Sequence, residues 1–192
     1  MEMGTNRLEA FSDAVIAIII TIMVLEMKVQ HGSELSSLNK VLPVFLTYVL
    51  SFLYLAIYWN NHHHMLHVTR HVTAGILWAN MHLLFWLSLF PFVTGWMGEN
   101  HLAPIPTMLY GIVLFFAATA YFILQRVIIY SQGSKSILAK AVGKDFKGKI
   151  SQLLYLLGII IALFVPWIAA VIYISVALMW LIPDRRIELM KD

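Results

Sequence analysis

The sequence contains no cysteine and little charge. Without cysteine the 192 residues can form no disulfide, no thiolate metal site and no cysteine nucleophile. Charged residues make up 12% of the chain and hydrophobic residues 60%, whereas soluble domains average about 25% charged and about 45–50% apolar residues. A soluble globule is therefore excluded, and the mean hydropathy of +0.80 indicates an integral membrane protein.

Sequence signatures of catalysis are also absent. The chain has no HExxH, no GxSxG and no paired aspartates in an apolar run, so an enzyme is not expected. A glycine-rich carbonyl filter of the TVGYG kind is missing too. The net charge of +3 comes from basic residues divided among short loops beside apolar runs, where such residues set membrane topology. We therefore expect no nucleic-acid partner.

Apolar runs occupy most of the chain and predict an all-α membrane fold in one domain, residues 1–192. A membrane-crossing helix needs roughly 20 apolar residues. Pro91 should kink the third run, and Pro166 alone separates the last two. A basic connector at residues 131–149 could form a short helix at the membrane interface. The six predicted spans are residues 5–27, 41–66, 74–97, 106–130, 150–165 and 167–182.

The distribution of lysine and arginine predicts the orientation. If the N-terminus is inside, eleven of these residues lie in cytoplasmic segments, and only Lys28 and Lys40 lie outside. This asymmetry satisfies the positive-inside rule, which applies to short loops such as these. Both termini should be cytoplasmic, and the polar ends of the first three spans should lie at one membrane surface.

The first span begins with polar residues, RLEAFSD, followed by twelve uncharged residues, 14–25. Ser12 or Asp13 could simply cap a helix that begins there. Twelve residues are too few to cross the membrane, which takes roughly 20, so the helix should begin earlier and carry Asp13 at the membrane boundary. We expect Arg7 and Asp13 to join a hydrogen-bonded network with groups from the second and third spans.

The second span ends in a histidine run, NNHHHMLH. His63 and His67 have the spacing of two ligands to one metal ion, but no carboxylate accompanies them in that span. We therefore expect no metal site. The preferred interpretation is that His62 or His63 pairs with Asp13, with Asn80 of the third span as a further partner.

One face of the first span carries Ile18, Ile22 and Leu25, with Thr21 beside them. Such a face could meet lipid, pack in a core or line a pore, and composition alone does not choose among these.

The sequence RLEAFSD, followed by AVIAIIITIMVLEM, resembles the R-x-x-x-F-S-D signature of the transmembrane protein 175 family of potassium channels. The segment YWNNHHHM is similar to that family's Y-W-x-x-H-H pattern. Animal members carry two six-helix repeats, whereas this chain carries one and so resembles the bacterial and archaeal form. The resemblance implies a homotetramer with the first helix of each subunit around a central pore.

The resemblance also assigns roles to particular residues. Ile18 would form the main constriction, Ile22 and Leu25 further aliphatic rings, and Thr21 a layer that contributes to potassium preference. The resemblance further implies that the first helix is anchored by these residues: Arg7, Phe11, Ser12, Asp13, His62 or His63, and Asn80.

The function expected from the sequence is a potassium-selective cation leak channel in a prokaryotic plasma membrane. Its partners would be potassium ions, the lipid bilayer and the other subunits of the homotetramer, with no cofactor. The alternative is a secondary transporter or proton-coupled carrier, in which Asp13 and the histidines of the second span would relay protons. A non-conducting membrane scaffold is a third possibility.

Overall fold

The computed structural model describes residues 5–28, 34–143 and 145–181. The predicted cytoplasmic termini, with Arg185, Arg186 and Lys191, lie outside these ranges. The described residues form a 3₁₀ helix, Leu35–Lys40, and the α-helices α1 (Thr5–Leu25), α2 (Leu42–His67), α3 (Ala74–Ser88), α4 (Phe90–Glu99), α5 (Pro104–Gln132), α6 (Ile137–Val142), α7 (Phe146–Ala162) and α8 (Pro166–Leu181).

Within the described ranges, four helical stretches are long and apolar enough to cross a membrane: α1, α2, α3 with α4, and α5. This agrees with the first four predicted spans. Helices α7 and α8 have 17 and 16 residues, fewer than the roughly 20 that a straight crossing requires. The chain is an all-helical, multi-pass membrane protein, and the six-span count stays a prediction.

Pro91 interrupts the third predicted span, as expected. Helix α3 ends at Ser88, and α4 begins at Phe90 with Pro91 in its first turn. Proline lacks the N–H that would continue the ladder, and its ring clashes with the carbonyl of the residue four positions earlier, so the helix breaks just before it. Beyond the break, α4 packs against α1, α2 and α5.

The connector and the last hairpin differ in detail from the prediction. The basic connector does contain a short helix, α6. Pro166 does not itself separate the last two helices: residues 163–165 form the turn, and Pro166 is the first residue of α8. Proline is favoured at a first helical position because its missing N–H would have no partner within the helix there.

Two groups of helices share one continuous core. Helix α1 packs on α2, α3 and α4, while α5 packs on α3, α4 and α7, and α7 pairs with α8. Four buried tyrosines, Tyr54, Tyr110, Tyr155 and Tyr173, lie where α2, α5, α7 and α8 meet, with ring centroids 5.9–6.4 Å apart in neighbouring pairs. The Tyr54 hydroxyl donates to the Tyr173 carbonyl over 2.6 Å, which satisfies a polar group inside this core.

Candidate functional site

Helix α1 has a buried side and an exposed side. The buried side faces α2, α3 and α4 and consists of Leu8, Ser12, Ile16, Ile19 and Met23, none more than 5% exposed. The spacing of these residues is that of one helical stripe. The chain therefore uses about half of the surface of α1 for its own packing.

The aliphatic residues singled out in the sequence lie on the exposed side of α1. Ile18 is 58% exposed, Ile22 42% and Leu25 74%. Thr21 is exposed on the same side, and its hydroxyl donates to the Ala17 carbonyl over 2.9 Å, which leaves the hydroxyl oxygen free to accept from outside. The structure thus brings these four side chains together on a face that the protomer leaves uncovered.

A buried polar chain joins the first half of α1 to α3 and α2. The Ser12 hydroxyl donates to the Leu8 carbonyl over 2.8 Å and accepts from the Asn80 amide nitrogen over 2.9 Å. The Asn80 amide oxygen lies 2.7 Å from His62 Nε2. Because an amide oxygen can only accept, His62 must carry its proton on Nε2. This chain links His62 and Asn80 to the Ser12 end of α1.

The predicted pairing of Asp13 with a histidine is wrong. Asp13 Oδ1 accepts from Trp59 Nε1 over 3.0 Å, and His63 Nδ1 donates to Glu9 Oε1 over 2.6 Å. The helices run antiparallel, so one turn back along α1, from Asp13 to Glu9, corresponds to one turn forward along α2, from Trp59 to His63. His62 therefore bonds to Asn80 and His63 to Glu9, in place of the expected Asp13.

Arg7 and Phe11 lie on the exposed side of α1, with Phe11 49% exposed. Among the described residues no hydrogen bond connects Arg7 to Asp13 or to the buried polar chain. Of the two residues expected to bond to the second and third spans, Asp13 does so, through Trp59 of α2. Arg7 and Phe11 follow the same side of the helix as Ile18, since positions 7, 11 and 18 are separated by whole turns. In one protomer the exposed side of α1 is thus continuous from Arg7 to Leu25.

Two partners in these contacts between α1 and α2, Glu9 and Trp59, were not identified from the sequence as site residues. Glu9 lies one turn before Asp13, and Trp59 one turn before His63. This pair of i, i+4 spacings on adjacent helices was the sequence signal that could have indicated the two contacts. The His63 ring also stacks between Trp59 and His67, with centroid distances of 6.0 and 6.1 Å. In the described part of the chain, no three histidine, aspartate or glutamate side chains are grouped so that they could hold a metal ion.

Near its C-terminal end, α1 is held by weaker contacts. The Thr94 hydroxyl of α4 lies 3.9 Å from the Met23 sulfur and 2.6 Å from the Ser51 hydroxyl of α2. Beyond the helix, Lys28 Nζ lies 2.8 Å from Glu99 Oε1 in an exposed ion pair. The hydrogen bond to this carboxylate, and then its negative charge, raise the pKa of Lys28 above its ordinary value.

Comparison with known proteins agrees with this architecture. The family model described as endosomal/lysosomal potassium channel TMEM175 matches residues 7–91. A protein named as a potassium channel from Chryseobacterium sp. (strain P1-3) is 55% identical over 186 residues, which cover 97% of each chain. Another protein named as a potassium channel, from Chamaesiphon minutus (strain ATCC 27169 / PCC 6605), is 36% identical over 106 residues, 52% of each chain.

The fold has a solved counterpart. The crystal structure of a lysosomal potassium-selective channel TMEM175 homolog from Chamaesiphon minutus superposes with a TM-score of 0.80 at 24% identity, covering 94% of this chain and 97% of that one. These relatives are named as channels, which are not enzymes, and this agrees with the absence of catalytic motifs. On the strength of the 55% identity along nearly its whole length, the chain belongs to the TMEM175 family of potassium channels.

Proposed function

We propose that the chain forms a homotetrameric, potassium-selective cation leak channel in which α1 of each subunit lines a central pore. The observation that carries this proposal is the exposed aliphatic side of α1, with Ile18, Ile22 and Leu25 between 42% and 74% exposed. The opposite side of the same helix is fastened to α2, α3 and α4. A helix held in this way can present a fixed set of side chains to a shared axis.

The exposed side of α1 changes in side-chain size along its length. Up to position 17 the exposed residues include Arg7 and Phe11 together with the alanines at positions 10, 14 and 17, and exposed aliphatic residues larger than alanine begin at Ile18. Around a symmetry axis, these aliphatic residues would place an apolar constriction in the part of α1 from Ile18 onward. We assign the narrowest ring to Ile18, with Ile22 and Leu25 as further rings.

The chemistry of such rings accounts for a modest selectivity. Isoleucine offers no ligand that can replace the water around an ion, so an ion must pass partly dehydrated or the ring must widen. Potassium loses water at a smaller cost than sodium and is favoured at an apolar constriction. The Thr21 hydroxyl, whose proton is already donated to Ala17, offers an oxygen toward the ion. A small inward shift of the ring would expel water and stop conduction.

We further propose six membrane crossings per subunit, both termini on the cytoplasmic side and location in a prokaryotic plasma membrane. The division of lysine and arginine supports this orientation. Helices α7 and α8 could cross as a tilted hairpin against α5, on which α7 packs. We expect no cofactor, because permeant potassium is the only ligand that the proposed mechanism requires.

The absence of cysteine makes a direct test of the pore possible. Ile18→Cys introduces a single thiol into a cysteine-free chain, and we expect a charged, membrane-impermeant thiol reagent to change its single-channel current. The matched control is Ile160→Cys on α7, where the native side chain is 59% exposed, nearly the same as Ile18. Reaction at Ile160 but not at Ile18 would overturn the pore assignment.

The rival function, a secondary transporter or proton-coupled carrier, makes a different prediction. A proton relay would need Asp13 linked to the histidines, whereas Asp13 bonds to Trp59, and His63 bonds to Glu9. Recording from the purified protein in planar bilayers, with potassium and sodium on opposite sides, separates the two. We expect unitary current steps whose reversal potential is displaced from zero in the direction of potassium preference. Saturable flux without unitary steps would favour the carrier.

A further inference from the structure

A cavity lies between α2, α5, α7 and α8, and none of its lining residues belongs to α1. Its volume is about 50 Å³, whereas a single water needs about 10–15 Å³ measured with a water-sized probe. It can therefore hold a small organic group. Six of its thirteen lining residues are aromatic: Tyr54, Tyr58, Tyr121, Phe122, Tyr155 and Trp180.

Asp145 is the only charged residue among the described residues that line this cavity. It precedes α7 in a left-handed conformation, with φ 45°, and its Oδ1 accepts from the Gly148 amide over 3.3 Å. A carboxylate has about four acceptor positions on its two oxygens. One long bond to a backbone amide leaves this carboxylate able to bind a further donor at the cavity wall.

The aromatic rings of this wall are suited to binding an organic cation. Aromatic rings attract ammonium groups through the negative charge of their faces. One ring of this wall already contacts an ammonium group, since Lys147, which is not a lining residue, has its Nζ 5.9 Å from the centroid of the Trp180 ring. The Trp180 ring is itself oriented by a bond from its Nε1 to the Ser151 hydroxyl over 2.8 Å.

A bare metal cation fits the cavity less well. Hard cations bind through rings of several oxygen ligands, whereas the described wall has one carboxylate, that of Asp145. Its other side-chain oxygens are neutral, and those of Tyr54 and Ser151 already take part in hydrogen bonds within the protein. An ammonium group with methyl or methylene substituents can instead place its charge near Asp145 and its carbons against the rings. The wall chemistry therefore selects organic ammonium over potassium.

We propose that this cavity is a binding site for an organic ammonium group, held by Asp145 and an aromatic wall that includes Tyr58, Tyr121 and Trp180. The group could belong to a free solute such as choline or to the headgroup of an ammonium-bearing lipid. The site is separate from the proposed pore, and its test measures binding rather than current.

The first test is equilibrium binding of choline to the purified protein in detergent, beside 3,3-dimethyl-1-butanol, which has the same shape without the charge. We expect choline to bind roughly tenfold more tightly than the uncharged compound, because only choline gains the attraction of the aromatic faces and of the carboxylate for a positive charge. Excess potassium should not displace it, which distinguishes this site from a pore. Equal binding of the two compounds would overturn the proposal.

The second test removes the charge without removing the helix cap. Asp145→Asn should weaken choline binding by roughly tenfold, while asparagine still caps α7 and accepts a left-handed backbone. An unchanged melting temperature checks that the variant is folded. Glu99→Gln, which removes an exposed carboxylate far along the chain, should bind choline like the wild type. An Asp145→Asn variant that binds choline normally contradicts the assignment.

The aromatic contribution is tested by Trp180→Leu against Trp180→Phe. Leucine should weaken choline binding severalfold, and phenylalanine should restore most of it, because it retains an aromatic face. If the Trp180→Leu variant binds choline as tightly as the Trp180→Phe variant does, the proposed role of the aromatic wall is contradicted.

Nanodiscs distinguish the two sources of the ammonium group. If the natural ligand is a lipid headgroup, choline affinity should fall when phosphatidylethanolamine is added to phosphatidylglycerol discs. If the ligand is a free solute, the affinity should be the same in both. Absence of choline binding in both kinds of disc, as in detergent, would overturn the proposal.

Discussion

Asn80 on α3 donates a hydrogen bond to Ser12 on α1 over 2.9 Å, at a point where both side chains are fully buried. Through its amide oxygen, Asn80 also accepts from His62 on α2 over 2.7 Å. One amide therefore links three helices. Because the other side of α1 is exposed, this link fixes which side of the helix turns outward.

Replacing Asn80 should loosen α1 more than it affects any other helix. Asn80→Leu leaves the Ser12 and His62 side chains buried without their partner, and we expect a loss of about 1–3 kcal/mol in the free energy of unfolding. Denaturant unfolding in detergent measures it. Asn100→Ala is the control, because Asn100 is exposed and its side chain donates to the carbonyl of the nearby Trp96. Equal stability of the two variants would refute the role given to Asn80.

The contact of Trp59 with Asp13 should behave as a coupled pair. Trp59→Phe removes the donor but keeps a ring, and Asp13→Asn weakens the acceptor. In a double-mutant cycle we expect a coupling energy of about 0.5–2 kcal/mol, since a donor and a charged acceptor are removed together. Pairing Asp13→Asn with Trp78→Phe, where Trp78 is 77% exposed, should give a coupling near zero. Equal coupling in both cycles would contradict the specific contact.

Glycine 111 permits the close approach of α5 and α8. A Cβ at Gly111 would overlap the Tyr173 hydroxyl, whereas one at Gly95 would meet nothing within 4 Å. We expect Gly111→Ala to destabilise the protein by about 1–3 kcal/mol through overpacking. Gly95→Ala should be neutral or stabilising by up to about 1 kcal/mol, because alanine favours a helix. Thermal unfolding compares them, and a stable Gly111→Ala variant would show that Tyr173 can move aside.

If α1 lines a pore, the hydroxyl of Thr21 should affect ion preference. Thr21→Val keeps the shape and removes the oxygen, and we expect the potassium-to-sodium permeability ratio to fall by roughly twofold. Reversal potentials in bi-ionic solutions measure the ratio. Thr119→Val is the control, because Thr119 makes the same kind of bond, to the Phe115 carbonyl, on α5. A fall in the Thr119 variant alone would argue against a threonine layer in α1.

The exposed Lys28–Glu99 pair should tune the charge near the end of α1. Glu99 raises the pKa of Lys28, so the lysine stays charged at neutral pH and the carboxylate offsets its charge. Glu99→Gln removes this part of the compensation, and we expect lower potassium conductance at low ionic strength, roughly twofold. The difference should disappear near 1 M salt, where the Debye length is about 3 Å. A reduction that persists at high salt would indicate a structural cause.

Much of the fold was predictable from apolar runs and proline positions. Four membrane-length stretches, the break before Pro91 and the short connector helix follow from hydropathy and backbone chemistry. The start of α8 was misjudged, because Pro166 was taken as a separator although proline also opens helices. The histidine partners were misjudged too: three consecutive histidines point in different directions, and only helix packing decides which one meets which neighbour.

The sequence by itself determined that this chain is a helical membrane protein, because its apolar runs have no other stable setting, and the RLEAFSD motif indicated its family. Tertiary structure alone decided that Ser12 and not Arg7 anchors α1, that Asp13 meets Trp59, and that Ile18 is left uncovered. The physical reason is that a helix periodicity defines faces but not their partners. Partners depend on how the helices pack, and on the need of every buried polar group for a hydrogen bond.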